Sequence, residues 1–391
     1  MSPCSQAPYP ELCNSLIGTK PLGTPDETQF DLRKSAIRVT LNQAQQAYSL
    51  VSSMDVSSFD KRAKLAWADC LELYDDTVYQ LNRSINSKDQ TSAQTWLSAA
   101  ITNQQTCKND ACWLTDSQNG YHQLTGNCFS HHRQVPTLWW LKMVLAITRP
   151  SLRPWRLQTG GTNRFVIYIK AGVYNENVVI KRSMKNLMFI GDGIDATIVT
   201  GNKNTQAGST TFRSATVGVS GDGFIARDMT FENTAGPQKH QAVALRSSSD
   251  HSVFYSCSFK GYQDTLYVYA LRQFFRNCNN MKPVQGSFKT YLGRPWHKYS
   301  RTVFMKCTLD SLINPAGWAP WSGSFLSTLY YGEYMNTGAG ASTGGRVKWP
   351  GVPRYNKSHR SRKIYSGKFL GRRCLDSGLR STLHCWPVIL V

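Results

Sequence analysis

Acidic side chains are scarce in this sequence. Against 45 Lys and Arg stand only 24 Asp and Glu, a formal charge of +21 over 391 residues. Missing too is any apolar run of about eighteen residues, which excludes a membrane-spanning helix of ordinary length. The nearest approach, LWWLKMVLAI at 138–147, is too short and carries Lys142. The opening MSPCSQAPYP lacks the apolar stretch of a secretory signal peptide. The expectation is therefore either a protein outside the usual export route or a truncated start. Tight two-residue turns are rare as well: among the β-rich runs only Asp192-Gly193 and Asp222-Gly223 offer one. That scarcity argues against a sandwich of consecutive hairpins.

A basic surplus points to a polyanion: nucleic acid, an anionic membrane or an acidic polysaccharide. Its distribution weakens the first. Residues 351–391 hold nine Lys/Arg against Asp376 alone, and residues 131–160 hold five with no acid, so two short segments supply more than half of the surplus. Aromatic platforms interleaved with basic residues, as single-stranded nucleic acid requires, are not evident. We expect no nucleic-acid and no membrane partner. The eleven cysteines are an odd number. Cys4 lies near Cys13, and Cys70 and Cys107 bracket a helical region, which suits an oxidising compartment; scattered buried thiols are the plainer alternative. Asn82-Arg-Ser, a glycosylation sequon, points the same way.

Residues 1–110 read as a helical bundle. Ile37, Leu41, Ala44, Tyr48 and Val51 recur at spacings of four and three, as do Leu71, Tyr74, Val78, Leu81 and Ile85, and TSAQTWLSAAITNQQTC makes a third run. From Arg164 the texture changes to short β-rich runs, among them RFVIYIKAGVY, GFIARDMTF, SVFYSCSF and QFFRNC, set off by Gly, Asn, Asp and Ser. Phe231, Phe254 and Phe275 suggest a step of about 20–25 residues, the mark of stacked coils. Residues 162–350 are thus expected to form a right-handed parallel β-helix. Residues 111–161 and 351–391 fit neither pattern and read as an aberrant linker and tail.

Four clusters carry chemistry: GVYNENV (172–178), HQAVALR (240–246), GYQDTLY (261–267) and YLGRPW (291–296). With GSTTFRSAT and FENTAGPQKHQAVALR they resemble, in order, the plant pectin methylesterases. The helical region, with its four cysteines and LAWADCLELY at 65–74, resembles the pectin methylesterase inhibitor domain that precedes many plant esterases. The resemblance implies hydrolysis of galacturonate methyl esters in pectin, without metal or other cofactor, in the extracellular plant cell wall. It also implies disulfides Cys4–Cys13 and Cys70–Cys107, and a partner esterase for the helical domain. By the same resemblance Asp264 is the acid/base, Gln241 and Gln263 donate to the oxyanion, and Arg294 pairs with the nucleophilic carboxylate. Thr211, Gln241, Arg294 and Trp296 contact substrate. The chemistry suits these residues: amides stabilise an oxyanion without adding charge, and guanidinium matches a carboxylate with two donors. Taken singly, each would read as a strand-edge or surface residue; their ordered co-occurrence decides against that.

One part is absent. The family's nucleophile lies in an Asp-Phe-Ile-Phe-Gly segment, and here ALRQFFRNCNN runs straight into MKPVQGSFKTYLGRPW. Two or more coils of about 20–25 residues are missing near Asn279–Met281, and the nucleophile with them. Neither Asp250 nor Asp310 stands in a comparable motif. The odd segments have a further explanation. Codon choice is free, and one set of codons for MVLAITRPSLRP, read one base earlier, gives D-G-S-G-N-Y-K-T-I-T-E-A; RYNKSHRSRKIYSGKF can likewise be recoded as V-I-T-K-A-T-E-A-G-K-F-T-V-G-K-F. Both products resemble family sequence, which implies shifted frames at about 138–160 and after Pro353. Two other readings compete: a non-catalytic pectin-binding or esterase-inhibitor-like wall protein, and a basic nucleic-acid binder.

Overall fold

The computed structural model describes residues 25–111, 164–280, 289–295, 300–305, 309, 311–321, 325–334, 336–352 and 389–390. Cys4, Cys13, Trp296, Asp310 and most of the expected linker and tail lie outside the described residues. The chain divides into two compact units, Met1–Val135 and Pro136–Val391. Among the described residues, no helix is long and apolar enough to cross a membrane.

The first unit contains α1 (Pro25–Ser52), α2 (Lys61–Ile85) and α3 (Gln90–Ala111). Pro25 opens α1, where its missing N–H is no loss. Asp60 caps α2 by accepting from the Ala63 N–H at 2.7 Å, and Asp89 accepts from the Ser92 N–H at 2.9 Å at the start of α3. Ile37, Ala44, Leu81 and Ala100 form the shared core, with Leu41, Val78 and Ile85 half-buried against it. On α2 the buried residues are Ala66, Asp69, Cys70, Leu73, Thr77, Gln80, Leu81 and Ser84; Leu81 lies on the apolar stripe of the sequence, and Cys70, Leu73, Thr77 and Ser84 lie one position before its other members. The hydroxyl residues reach this face because they are satisfied: Thr77 donates to Leu73 O at 2.8 Å, and Ser84 to Gln80 O at 2.9 Å. A disulfide joins Cys70 of α2 to Cys107 of α3.

The second unit is built from parallel ladders. The larger sheet contains β1 (Phe165–Tyr168), β4 (Leu187–Ile190), β7 (Ile225–Asn233), β9 (Ser252–Lys260) and β11 (Arg272–Arg276) in that order. Alongside, β2 (Gly172–Asn175) pairs with β5 (Thr197–Gly201), which pairs with β7. A smaller sheet orders β3 (Val178–Ile180), β6 (Val217–Val219), β8 (Leu245–Ser247) and β10 (Leu266–Val268). Parallel pairing between strands far apart in sequence demands crossovers rather than hairpins, as the scarcity of tight turns implies.

The register corrects the expected phenylalanine spacing. Phe165 pairs with Leu187, Met188 with Ile225, Ile225 with Val253, and Val253 with Phe274. The step is therefore uneven. Phe231 stacks on Phe259 with centroids 5.7 Å apart, and Phe254 on Phe275 at 4.7 Å, so Phe231 to Phe254 is not a full turn. The longer turns carry excursions, at 202–216 and 234–243. Inside, Phe189, Phe224, Phe231, Phe254 and Phe259 are fully buried, each worth about 1.5–3 kcal/mol in removed apolar surface. One corner repeats: Asp228, Ser256 and Asn277 are aligned and all left-handed, with φ of 56, 49 and 53°. Below them Gly191 is required, since a Cβ there would lie 2.2 Å from Asp228 O.

The remainder contains β12 (Asn279–Asn280), paired with β9, then β13 (Arg301–Met305) parallel to β14 (Tyr330–Tyr334). The two-residue β15 (Ile389–Leu390) runs antiparallel between β11 and β13. Trp318, Leu329 and Tyr331 form a local core, and Arg346 forks onto Glu333 at 2.7 and 3.0 Å inside it.

Candidate active site

The smaller sheet positions the motif residues. Val217, Leu245 and Leu266 are register partners, so the segments entering β6, β8 and β10 lie one upon another. Backbone bonds extend the ladder into these segments: Thr216 N–H donates to Val243 O at 2.9 Å, Ala242 N–H to Gln263 O at 3.0 Å, and Ala244 N–H to Thr265 O at 2.9 Å. Gln241 and Gln263 consequently belong to adjacent turns, with Asp264 following directly.

Each side chain has its own support. Gln241 is half-buried, and its Oε1 accepts from Thr205 Oγ1 at 2.9 Å. Holding the oxygen leaves the NH₂ end to donate elsewhere. Gln263 is exposed beside half-buried Asp264. Asp264 has a φ of 60°, a left-handed conformation uncommon for a residue with a Cβ. The turn is held by Thr265 Oγ1, which donates to Tyr262 O at 2.9 Å. Gly261 gives that hydroxyl room, since a Cβ would approach it to 3.0 Å.

Arg294 Nη2 donates to Asp264 Oδ1 at 2.9 Å, and the two side chains are 37% and 26% exposed. The guanidinium also lies over the Trp321 ring, 4.4 Å from its centroid, a cation–π contact that fixes its plane. Thr211 precedes the short 3₁₀ turn Phe212–Ser214, and its carbonyl accepts from Ser214 Oγ at 2.8 Å. That turn is tied to the end of β10 through Phe212, which meets Tyr269 edge-on at 5.5 Å and underlies the Arg246 guanidinium at 3.4 Å.

The structure thus brings Gln241, Gln263 and Asp264 onto neighbouring turns and joins Arg294 to Asp264. Sequence reading missed Thr205 and Trp321. Trp321 had a weak signal in the paired tryptophans of GWAPW; Thr205, in a polar loop, had none. Asp250 serves elsewhere: fully buried, it accepts from Arg272 Nε at 2.8 Å and Nη2 at 2.7 Å.

Comparison with known proteins shows the family of the chain. The pectinesterase family model matches residues 155–282 and 279–373, and the plant invertase/pectin methylesterase inhibitor model matches residues 2–130. "Probable pectinesterase/pectinesterase inhibitor 6" of Arabidopsis thaliana is 43% identical over 481 residues, covering 89% of this chain and 87% of its own. Pectinesterase 2 of Citrus sinensis is 41% identical over 447 residues, with the same coverage of 89% and 87%. Both alignments are longer than the 391-residue chain, so the relatives carry segments that it lacks. Among solved structures, the pectin methylesterase from carrot is 44% identical, covers 56% of this chain and 84% of its own, and superposes with a TM-score of 0.45. The chain belongs to the pectinesterase family, with an inhibitor-type helical region ahead of its esterase region.

Proposed function

We propose that this chain is a pectinesterase-type carboxylic ester hydrolase acting on methylesterified pectin in the plant cell wall, with a catalytic set reduced by an internal loss. The observation that carries the reading is the stacking of Gln241, Gln263 and Asp264 on adjacent turns, with Arg294 bonded to Asp264 at 2.9 Å. In the full reaction a carboxylate attacks the ester carbonyl while amide donors stabilise the oxyanion. A second carboxyl protonates the departing methoxide and then takes a proton from water. Gln241 and Gln263 fill the donor role, and Asp264 that of acid/base; Thr211 and Trp296 are assigned to substrate contact.

The nucleophile's place is the proposed gap near Asn279–Met281. Two observations support it: the family model matches in two pieces that overlap at 279–282, and the alignments to relatives exceed the chain in length. We take the second unit to be a right-handed parallel β-helix over 162–350, shortened there, and the helical domain to span 1–110, with a disulfide Cys4–Cys13 and a partner esterase. The linker 111–161 and the tail 351–391 we assign partly to shifted frames; the second family match runs on to 373, into that tail. A non-catalytic wall-binding or inhibitor-like role is favoured by one contact. Arg294, which the family assigns to the nucleophile, bonds instead to Asp264.

The test is methanol release from highly methylated pectin. Loss of a nucleophile from a concerted site costs about 10⁴–10⁶ in rate, so the chain as it stands should release little, and Asp264→Asn should change that little. With the missing coils and frames restored, turnover should return and Asp264→Asn should lower it by about 10²–10⁴. Robust release by the unrestored chain, abolished by Asp264→Asn, would refute the proposed gap.

A further inference from the structure

Cys257 and Cys278 stand opposite each other where β9 pairs with the segment joining β11 to β12, beside the gap proposed above. Arg276 pairs with Tyr255 and Asn279 with Ser258, so the intervening Cys278 is the register partner of Cys257 on the adjacent parallel strand. Neighbouring strands lie about 4.7–4.9 Å apart, inside the ~4.4–6.8 Å Cα window of a disulfide. Both residues follow the left-handed corner made by Ser256 and Asn277, so their Cβ vectors leave the backbone alike. Both thiols are free, Cys257 fully buried and Cys278 half-buried. Each Sγ also reaches backbone oxygen: Cys257 that of Ala226 at 3.5 Å, Cys278 that of Phe254 at 3.4 Å.

We infer that Cys257 and Cys278 are a dithiol that closes to a disulfide across adjacent turns, formed by exchange with a low-molecular-weight disulfide. The partly exposed Cys278 thiolate attacks the small disulfide RSSR, forming a mixed disulfide and releasing one RS⁻. Cys257, losing its proton to solvent, then attacks Cys278 Sγ and expels the second RS⁻. Two protein thiols are oxidised, and RSSR is reduced to two RSH. The roles follow from the environments. A hydrogen bond from Cys257 draws the Cys278 thiol below the usual range, whereas burial pushes Cys257 well above it. The more acidic, reachable sulfur is the entry point, and the buried one resolves. The bond would tie the segment between β11 and β12 to β9.

The experiment uses the full chain, reduced and then equilibrated with oxidised glutathione, alkylated and digested with trypsin without reduction. The expected product is the peptide 247–260 linked to the peptide 277–289 through Cys257 and Cys278, lost again on reduction. In Cys257→Ser, Cys278 should instead retain glutathione. A second readout needs no variant: oxidation should slow alkylation of both thiols in the denatured chain to nothing. Two alkylatable thiols after oxidation, a stable glutathione adduct on Cys278 in the unsubstituted chain, or linkage of either residue to a different cysteine would each overturn the proposal.

Discussion

Tyr331 is 2% exposed, and its hydroxyl shares a 2.9 Å hydrogen bond with Ser300. Burial pushes its pKa from 10.0 up to about 12, against the smaller opposing effect of its hydroxyl neighbours. The folded chain therefore keeps the proton when the unfolded chain has lost it. Stability from this group is complete below pH 10 and disappears as pH rises from 10 toward about 12, a loss on the order of 2–3 kcal/mol. Denaturant titrations at pH 9 and pH 11.5 should show the fall, and Tyr331→Phe should flatten it. At this scale much of the candidate site was legible. Gln241, Gln263, Asp264 and Arg294 sit in the motifs that carry the resemblance, and the structure puts Gln241 one turn from Gln263 and Asp264 and bonds Arg294 to Asp264. Thr205 and Trp321 were not, because what they do depends on contacts across 36 residues in one case and on a ring placed beneath a guanidinium in the other.

Two clamps hold elements that backbone bonding alone would leave loose. Asp250, in the turn between β8 and β9, receives both arms of Arg272 from β11 and is 0% exposed. Removing one partner strands a buried charge, so Asp250→Ala should destabilise the second unit by about 3–5 kcal/mol. The paired exchange of both residues for apolar ones should cost much less, which chemical denaturation of the two variants would resolve. The disulfide between Cys70 and Cys107 spans 37 residues of sequence. A loop of that size implies about 3–4 kcal/mol of stabilisation through the unfolded chain, so Cys70→Ala/Cys107→Ala should lower the melting midpoint of the helical unit and leave the other unit's unchanged. Element types were readable from periodicity, but two details were not. The buried face of α2 is turned by one residue because it packs against α1 on one side and α3 on the other. The step is not legible from phenylalanine spacing, because β9 carries phenylalanines at both 254 and 259 and only the register says which one answers Phe231.

At the scale of the whole molecule, the change from helical to parallel-strand texture was plain in the sequence, since periods near 3.6 and 2 leave different residue patterns. The unequal turns were harder to see. Residues 202–216 and 234–243 lengthen the steps that contain them, and such excursions have no period of their own. These are the same segments that carry Thr205, Thr211 and Gln241. The regular ladder is thus legible, while the segments that vary its length carry some of the candidate site's polar groups and Gln263 and Asp264 lie between β9 and β10.

The nearest-neighbour order of the strands has a bearing on inheritance. β4 bonds to β1 and β7, and β7 to β9, as coins in a column touch those above and below. Taking coins from the lower part shortens the column and leaves the upper ones where they were. Gln241, Gln263 and Asp264 all belong to the upper part, before Asn279, and keep their mutual alignment whatever is removed after it. Arg294 belongs to the lower part and reaches back to Asp264 at 2.9 Å. A column held by nearest neighbours can change length in its lower part and still display, turn for turn, the signature by which its ancestry is known.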